Sequence, residues 1–496
     1  MQIPEVTPDA TINICLDTLK KGKQALVFVN TKRGAEKAAE DISKKAKLAN
    51  AALAQLSEDS LHALSRPTVQ CERLARCLKE GVAFHHAGLH AKQKELIETN
   101  FRNGTIKIIA CTPTLAMGLD LPAYRCVIRD LKRYSQRGMG FIPVLEYLQM
   151  AGRAGRPKYD NVGEAICIAS NEHEKEDIQV RYIHGEPEDI YSKLAVEPVL
   201  RTYILSLIAS NFVRTRKELM TFFSKTFWAH QFQDLQKLER IIDKMLELLE
   251  EWEFILPSGK EDFVSASELT KDIQHRATVI GKRVAELYLD PLTAHELLVA
   301  IRKANAAKTT NVVAFLHTIC TTLEMRPLLN VGTKDYDAVQ RTLVEWDKQL
   351  LVNEPTAFDP EYDDYLNATK TAMMLHAWME ETDEQTLLEN FNVRPGELHV
   401  KTDNADWLLY GMMELANLLN FNDVIKSINK TRVRLRYGAK EELIPLLKLE
   451  GIGRMRARTM FKASIKDLGD ARKATIEKLT ELLGKAVALS VKKQTG

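Results

Sequence analysis

The sequence predicts an α/β domain followed by mainly α-helical ones, and three observations carry that prediction. Over the first 190 residues, short apolar β-branched runs alternate with helix-forming stretches, the mark of a parallel sheet covered on both faces. Beyond about residue 190 the strand-like runs stop, and apolar residues recur at three- and four-residue intervals. The length of 496 residues exceeds what one core holds and points to about three or four domains.

The elements follow in order. QALVFVN (24–30) reads as a buried strand and TKRGAEKAAEDISKKAK after it as a helix. GVAFHH (81–86), IKIIACT (106–112), RCVIRD (125–130) and GEAICIAS (163–170) read as further strands, each bounded by glycine, proline or charge. EPVLRTYILSLIASNF, KLERIIDKMLELLEEWEFI, TKTAMMLHAWMEE and DWLLYGMMELANLL have the period of packed amphipathic helices. WEFILPSGKEDFVSAS (252–267) reads as a short hairpin among them, which makes 191–280 a winged-helix module. Residues 281–430 then read as a helical bundle and 431–496 as a small separate helical domain.

Composition narrows the function classes. With 45% hydrophobic and 27% charged residues the chain is an ordinary soluble globular protein. It has no apolar run of membrane-spanning length and no signal-peptide layout at MQIPEVTPDA, so a cytoplasmic location without membrane attachment is expected. The seven cysteines are scattered, with no CxxC pair and no ligand-spaced His/Cys cluster, so neither zinc nor a disulfide framework is expected. The net charge of +2 hides an asymmetry: from Thr431 onward there are 16 Lys/Arg against 7 Asp/Glu, and before it 53 against 60. A basic tail on a mildly acidic body points to a polyanion, with a solvated basic face as the plain alternative.

In parallel α/β sheets, ligands gather where strands end and backbone N–H groups point outward. Four segments fall at such places: FVNTKRGAE with Asn30 and Thr31, FHHAGL with His86, Gly88 and Leu89, ACTPTLAMGLDLPA with Thr114, Gly118 and Asp120, and QMAGRAGRP (149–157) with Gln149, Arg153 and Arg156. Singly each is weak, since Asn-Thr after a strand caps helices, histidines pack, and aspartates sit in turns. Their order and spacing together resemble motifs IV, IVa, V and VI of superfamily 2 helicases. The rest of the chain, including HGEPEDIYSKL (184–194) and YLDPLTA (288–294), is similar to archaeal Ski-like DNA helicases of the Holliday junction migration type.

That resemblance implies a second RecA-like domain over 1–190, a winged helix over 191–280, a helical ratchet bundle over 281–430, and a basic helix-hairpin-helix-like domain over 431–496. It implies catalytic roles for Arg153 and Arg156 as guanidinium fingers on transferring phosphoryl oxygens, with Gln149 positioning nucleotide or water. Gly118 and Asp120 would sense nucleotide state. Asn30, Thr31, His86 and Thr114 would hold phosphates of single-stranded DNA. DLKRYSQRGMGFIPV (130–144) corresponds to a duplex-splitting hairpin with Tyr134 near its tip, although from the residues alone it reads as an ordinary surface hairpin. Trp407 would stack on a base, while Val400 stands where some relatives have an arginine. Arg454, Arg456 and Arg458, after the Gly-Ile-Gly of LLKLEGIGRMRARTMFKASI (446–465), would hold the exiting strand.

The cofactors implied are ATP and Mg²⁺, yet GKQAL (22–26) lacks the hydroxyl of a phosphate loop and precedes a strand, and no DExH-like sequence ends one. The first RecA-like domain is therefore expected to be missing, supplied in cis or as a separate chain. The chain alone is expected not to hydrolyse ATP. The function expected is the C-terminal part of an ATP-dependent 3′→5′ helicase for single-stranded and forked DNA. The alternatives are a degenerate, non-catalytic single-strand-binding protein and part of an RNA helicase.

Overall fold

A computed structural model describes residues 3–64, 67–118, 121–135, 138–155, 162–194, 196–258, 274–308 and 311–496. The chain divides into two compact units, Met1–Ile190 with Glu384–His399, and Tyr191–Asp383 with Val400–Gly496. The mixture of one α/β unit and one mainly helical unit agrees with the class read from the sequence.

The first unit is built on strands β1 (Ala25–Phe28), β2 (Val82–His85), β3 (Ile108–Cys111), β4 (Arg125–Ile128) and β7 (Glu164–Cys167). They form a sheet in the order β2-β3-β1-β4-β7, with every neighbouring pair parallel. β1 to β4 are buried along their whole length, which explains why each appears in the sequence as an unbroken apolar run instead of an alternation. Helices cover the faces and begin on side-chain caps: Thr31 accepts from Gly34 N–H ahead of Lys32–Ala46, and Thr68 from Cys71 N–H ahead of Val69–Leu78. Because β1 lies between β3 and β4, the chain reverses its direction across the sheet beside β1. That is where a crevice opens at the strand ends.

Arg125 places a charge inside this core. Arg125 on β4 is fully buried; its Nη1 donates to Asp17 Oδ2 at 2.6 Å and to Thr18 Oγ1 at 3.1 Å, and its Nε donates to Glu164. It fastens the N-terminal helix Ala10–Lys20 to β4 and β7. β5 (Lys132–Ser135) and β6 (Gly138–Phe141) form a separate antiparallel hairpin.

In the second unit, helices Glu197–Ala209, Arg216–Phe223 and Leu235–Glu251 accompany a hairpin of β8 (Ile255–Ser258) and β9 (Gln274–Ala277). The return strand is thus Gln274–Ala277, beyond the 252–267 stretch that the sequence marks; residues 259–273 lie outside those described. Arg201 forms a buried two-bonded pair with Asp290, at 2.6 and 2.9 Å, and Asp290 also accepts from Leu292 N–H at the start of helix Pro291–Ala306. This joins the first helices of the unit to the bundle that follows. The C-terminal helices from Arg454 to Thr495 enclose a small core of their own, including Leu446, Ile452, Met460, Leu479 and Val491. Among the described residues no helix is long and apolar enough to cross a membrane.

Candidate nucleic-acid and nucleotide interface

The loops that leave β1 and β3 meet at the switch point of the sheet. A cleft of about 410 Å³ opens there, lined among others by Asn30, Lys32, Thr112, Thr114, Met117 and Arg133. The hydroxyls of Thr112 and Thr114 share a hydrogen bond of 2.8 Å; Thr112 is buried and Thr114 exposed, so the pair presents one oriented hydroxyl to the cleft. Thr31 is exposed but uses its oxygen to cap the following helix, at 2.9 Å from Gly34 N. Asn30 takes its N–H to Asp130 Oδ2 at 3.1 Å and its Nδ2 to the carbonyl of Lys132 at 2.7 Å, tying the end of β1 to the root of the hairpin. Glu146 also lines the cleft and pairs with Arg133, and Lys32 pairs with Glu397, so a phosphodiester chain would meet hydroxyl and amide groups beside two ion-paired cations, a set that carries no base readout.

The hairpin root is braced from several sides. Lys132 and Arg181 lie 4.6 and 4.7 Å from the Phe141 ring centre, Lys132 pairs with Glu174 at 3.0 Å, and Arg133 with Glu146 at 2.9 Å. Tyr134 projects from this base with 81% of its surface exposed. An aromatic ring held out from a rigid strand pair can stack on a base pair.

Gln149 is exposed on helix Val144–Ala151, and Arg153 follows just past its end. The Arg153 guanidinium donates from Nε at 3.1 Å and from Nη2 at 2.5 Å to the carbonyl of Ala116. The backbone repeats the link, with Ala123 N–H on Arg153 O at 2.9 Å and Gly155 N–H on Ala123 O at 2.7 Å. The loop after β3 and the arginine segment are therefore one hydrogen-bonded assembly. Gly118, exposed in that loop, has a φ of 82°, which a β-carbon disfavours. Asp120 and Arg156 lie outside the described residues.

His86 does not stand at this surface. It is fully buried, its Nδ1 accepts from Gly88 N–H at 3.1 Å, and its Nε2 therefore carries the proton and donates to Glu36 at 3.2 Å. Burial lowers its pKa and outweighs the neighbouring carboxylate, so the ring is neutral. Burial alone would raise the Glu36 carboxyl, but hydrogen bonds from His86 and Gln70 and the charge of Arg394 hold it down at about 2. Nothing local marks Glu36 in the sequence, since it sits at an ordinary position on an amphipathic helix.

In the second unit Trp407 is half-buried on helix Pro395–Leu418, its Nε1 donating to the carbonyl of Leu287 at 3.3 Å, while Val400 is exposed at 58%. The three tail arginines differ. Arg454 packs over the Trp378 ring at 4.2 Å and donates to Thr382 O at 3.2 Å. Arg458 donates twice to Glu381, at 2.8 and 2.5 Å, and once to Glu442 at 2.8 Å. Arg456 is exposed and donates to Gly451 O at 2.7 Å. Among the described residues no three His, Cys, Asp or Glu side chains converge as a metal site.

Three family descriptions match consecutive parts of the chain: "Helicase conserved C-terminal domain" over residues 8–158, "Helix-turn-helix domain" over 163–256, and "Archaeal helicase, domain 4" over 313–438. The chain is 40% identical over 474 residues to the ATP-dependent DNA helicase Hel308 of Pyrococcus horikoshii, covering 94% of this chain and 63% of that protein. It is 37% identical over 499 residues to the Hel308 of Methanocella arvoryzae, covering 99% and 65%. With the Hel308 of Methanococcus vannielii it shares 36% identity over 528 residues, covering 100% and 68%. The chain spans somewhat under two thirds of the length of the first two relatives.

Proposed function

The chain belongs to the Hel308 family of archaeal superfamily 2 helicases, and from that premise we propose that it forms the strand-gripping part of an ATP-dependent 3′→5′ DNA helicase acting on forked or branched DNA in the cytoplasm. In this reading residues 1–190 are the second RecA-like domain, 191–280 the winged helix, 281–430 the ratchet bundle and 431–496 the basic helix-hairpin-helix-like domain. Nucleotide and Mg²⁺ are held by a first RecA-like domain in cis or on a separate chain, and supply phosphoryl transfer when bound. From this chain, Gln149, Arg153 and Arg156 serve that nucleotide, and Gly118 and Asp120 sense its state. The carbonyl of Ala116 orients the Arg153 guanidinium, and the same bond passes any displacement of Arg153 to the loop that holds Thr114. Thr31, Thr114 and the cleft around them take the phosphates; Tyr134 meets the duplex end; Trp407 stacks on an unpaired base; Arg456 meets the exiting strand.

The observation that supports this reading most is the cleft at the sheet's switch point, where Asn30, Thr112 and Thr114 from two loops face one groove beside Lys32 and Arg133. It is tested by fluorescence anisotropy with a labelled single strand. The full chain should bind with strong salt dependence, and Thr114→Ala should weaken binding by about 1 kcal/mol, roughly fivefold. Wild-type affinity in Thr114→Ala would remove the cleft from the DNA path. Absence of single-strand binding by the wild-type chain would remove the gripping role.

A further inference from the structure

Near the end of the first unit the chain makes a turn of unusual geometry. After helix Glu172–Ile178 the residues Gln179–Ile183 form a π-helical turn, in which His184 N–H reaches back to Gln179 O at 3.0 Å. A β-carbon at Gly185 would lie 1.8 Å from the carbonyl oxygen of Arg181, so the turn closes only on a residue without a side chain. Such turns are rare and recur at functional sites.

The turn is aimed at the foot of the β5–β6 hairpin. Tyr182 is buried; its hydroxyl donates to Ile142 O at 2.7 Å, and Ile142 N–H donates in turn to Leu131 O at 2.9 Å, just below the strand pair. The Tyr182 ring meets that of Phe141 edge-on at 6.2 Å and that of Tyr147, on helix Val144–Ala151, at 5.0 Å. Burial pushes the Tyr182 hydroxyl up to about 12, so it keeps its proton and remains a donor through the neutral range. Arg181 lies over the Phe141 ring at 4.7 Å. Further on, Glu188 accepts from Val144 N–H at 2.7 Å and from Leu145 N–H at 3.1 Å, at the start of a helix whose N-cap, Pro143, offers no side-chain bond. Hairpin and helix are separated only by Ile142 and Pro143, and the segment from Arg181 to Glu188 clamps both. Tyr134 and its cross-strand partner Met139 are exposed, so the hairpin takes its direction from this foot.

We propose that Tyr182 is a positioning residue for Tyr134: from the π-helical turn it locks the foot of the hairpin to helix Val144–Ala151, and so sets the direction in which Tyr134 meets the end of a duplex. The consequence for DNA rests on the duplex-end reading of Tyr134 given above; the lock itself does not. Tyr182→Phe removes the bond to Ile142 O and keeps the ring against Phe141 and Tyr147, so the unit stays folded while the foot of the hairpin loosens.

The full chain is measured in two ways: hydrogen exchange at the Ile142 amide, and anisotropy affinities for a forked DNA and for its single-stranded arm alone, taken as a ratio. Wild type should prefer the fork. Tyr182→Phe should speed the exchange about fivefold, as loss of one hydrogen bond gives, and lower the ratio by a similar factor, with affinity for the arm unchanged. In a Tyr134→Ala background the preference should be gone and Tyr182→Phe should change the ratio no further, a non-additivity that a general loss of stability would not produce. If Tyr182→Phe does not fold, the exposed Arg181 serves: Arg181→Ala should give the same changes at about twofold, and Arg181→Lys, which keeps a cation over Phe141, should restore both. Wild-type exchange in a folded variant overturns the lock. Faster exchange with an unchanged ratio, or a ratio that falls equally in the Tyr134→Ala background, overturns the positioning role. A wild-type chain without fork preference overturns the duplex-end reading of Tyr134, while exchange still decides the lock.

Discussion

Arg458→Ala separates two uses of the tail arginines. Arg458 places three hydrogen bonds on Glu381 and Glu442 and is about one-fifth exposed, with Glu381 at 17%. Burial works against the Glu381 carboxylate, yet the Arg458 bonds outweigh it and keep its pKa below the usual range. An exposed pair contributes under about 1 kcal/mol, and breaking a fully buried one costs about 3–5 kcal/mol. This geometry lies between, so a double-mutant cycle of Arg458→Ala with Glu381→Ala should give a coupling of about 1–2 kcal/mol in denaturant unfolding. The coupling should be present at neutral pH and fade as Glu381 protonates on acidification, since its folded pKa is the depressed one. Single-strand binding should respond differently: removing one cation from a phosphate lowers the slope of log affinity against log salt by about 0.7. Arg456→Ala should show that drop, and Arg458→Ala should leave the slope unchanged. A coupling near zero together with a shallower slope in Arg458→Ala would refute the reasoning and return Arg458 to the DNA.

Arg125→Ala leaves two carboxylates facing an empty buried position and should cost about 3–5 kcal/mol in urea unfolding. The folded pKa values of Asp17 and Glu164 are depressed, so that cost should shrink as pH falls below the ordinary carboxylate range; a gap independent of pH would contradict the ion-pair account. Glu36, held near 2 in a site almost closed to solvent, should contribute about 3 kcal/mol at neutral pH, lost progressively as pH falls from the ordinary carboxyl value toward 2. Glu36→Gln should flatten that part of the stability profile, measured by thermal melting across pH. Trp407→Ala should weaken single-strand binding by about 1–3 kcal/mol without changing the salt slope, and Trp407→Phe by less; an altered slope would point to a phosphate contact instead of a stack.

The sheet was legible because four of its strands, β1 to β4, are buried along their whole length, and only β7 is partly open. Ala25–Phe28, Val82–His85, Ile108–Cys111, Arg125–Ile128 and Glu164–Cys167 all lie inside apolar runs that the sequence displays directly. The return strand Gln274–Ala277 was not legible, because QHRA has neither apolar content nor alternation and exists as a strand only through its pairing with Ile255–Ser258. At the candidate site, Thr114 and Gly118 follow the end of β3, and Gln149 and Arg153 lie on and just past helix Val144–Ala151, where strand-end reasoning leads. The seat of Glu36 left no trace in the sequence: its partner Arg394 is 358 residues away, and neither carries a local signature. His86 shows the limit of reading a motif as a contact surface, since the same strand-end position that can face a ligand here faces a buried carboxylate. For Arg454 and Arg458, clustering in sequence disclosed charge but not the Trp378, Glu381 and Glu442 side chains that engage it.

DNA-stimulated ATP hydrolysis tests the central claim most directly, measured for this chain alone and for the chain joined to the first RecA-like domain of a Hel308 relative. The account predicts no turnover by the chain alone, turnover in the joined protein, and its loss in the joined protein carrying Arg153→Ala or Arg156→Ala while single-strand binding persists. Hydrolysis by the chain alone would contradict a nucleotide site completed from outside, and a joined protein that binds DNA without turnover would make the chain a non-catalytic single-strand-binding protein.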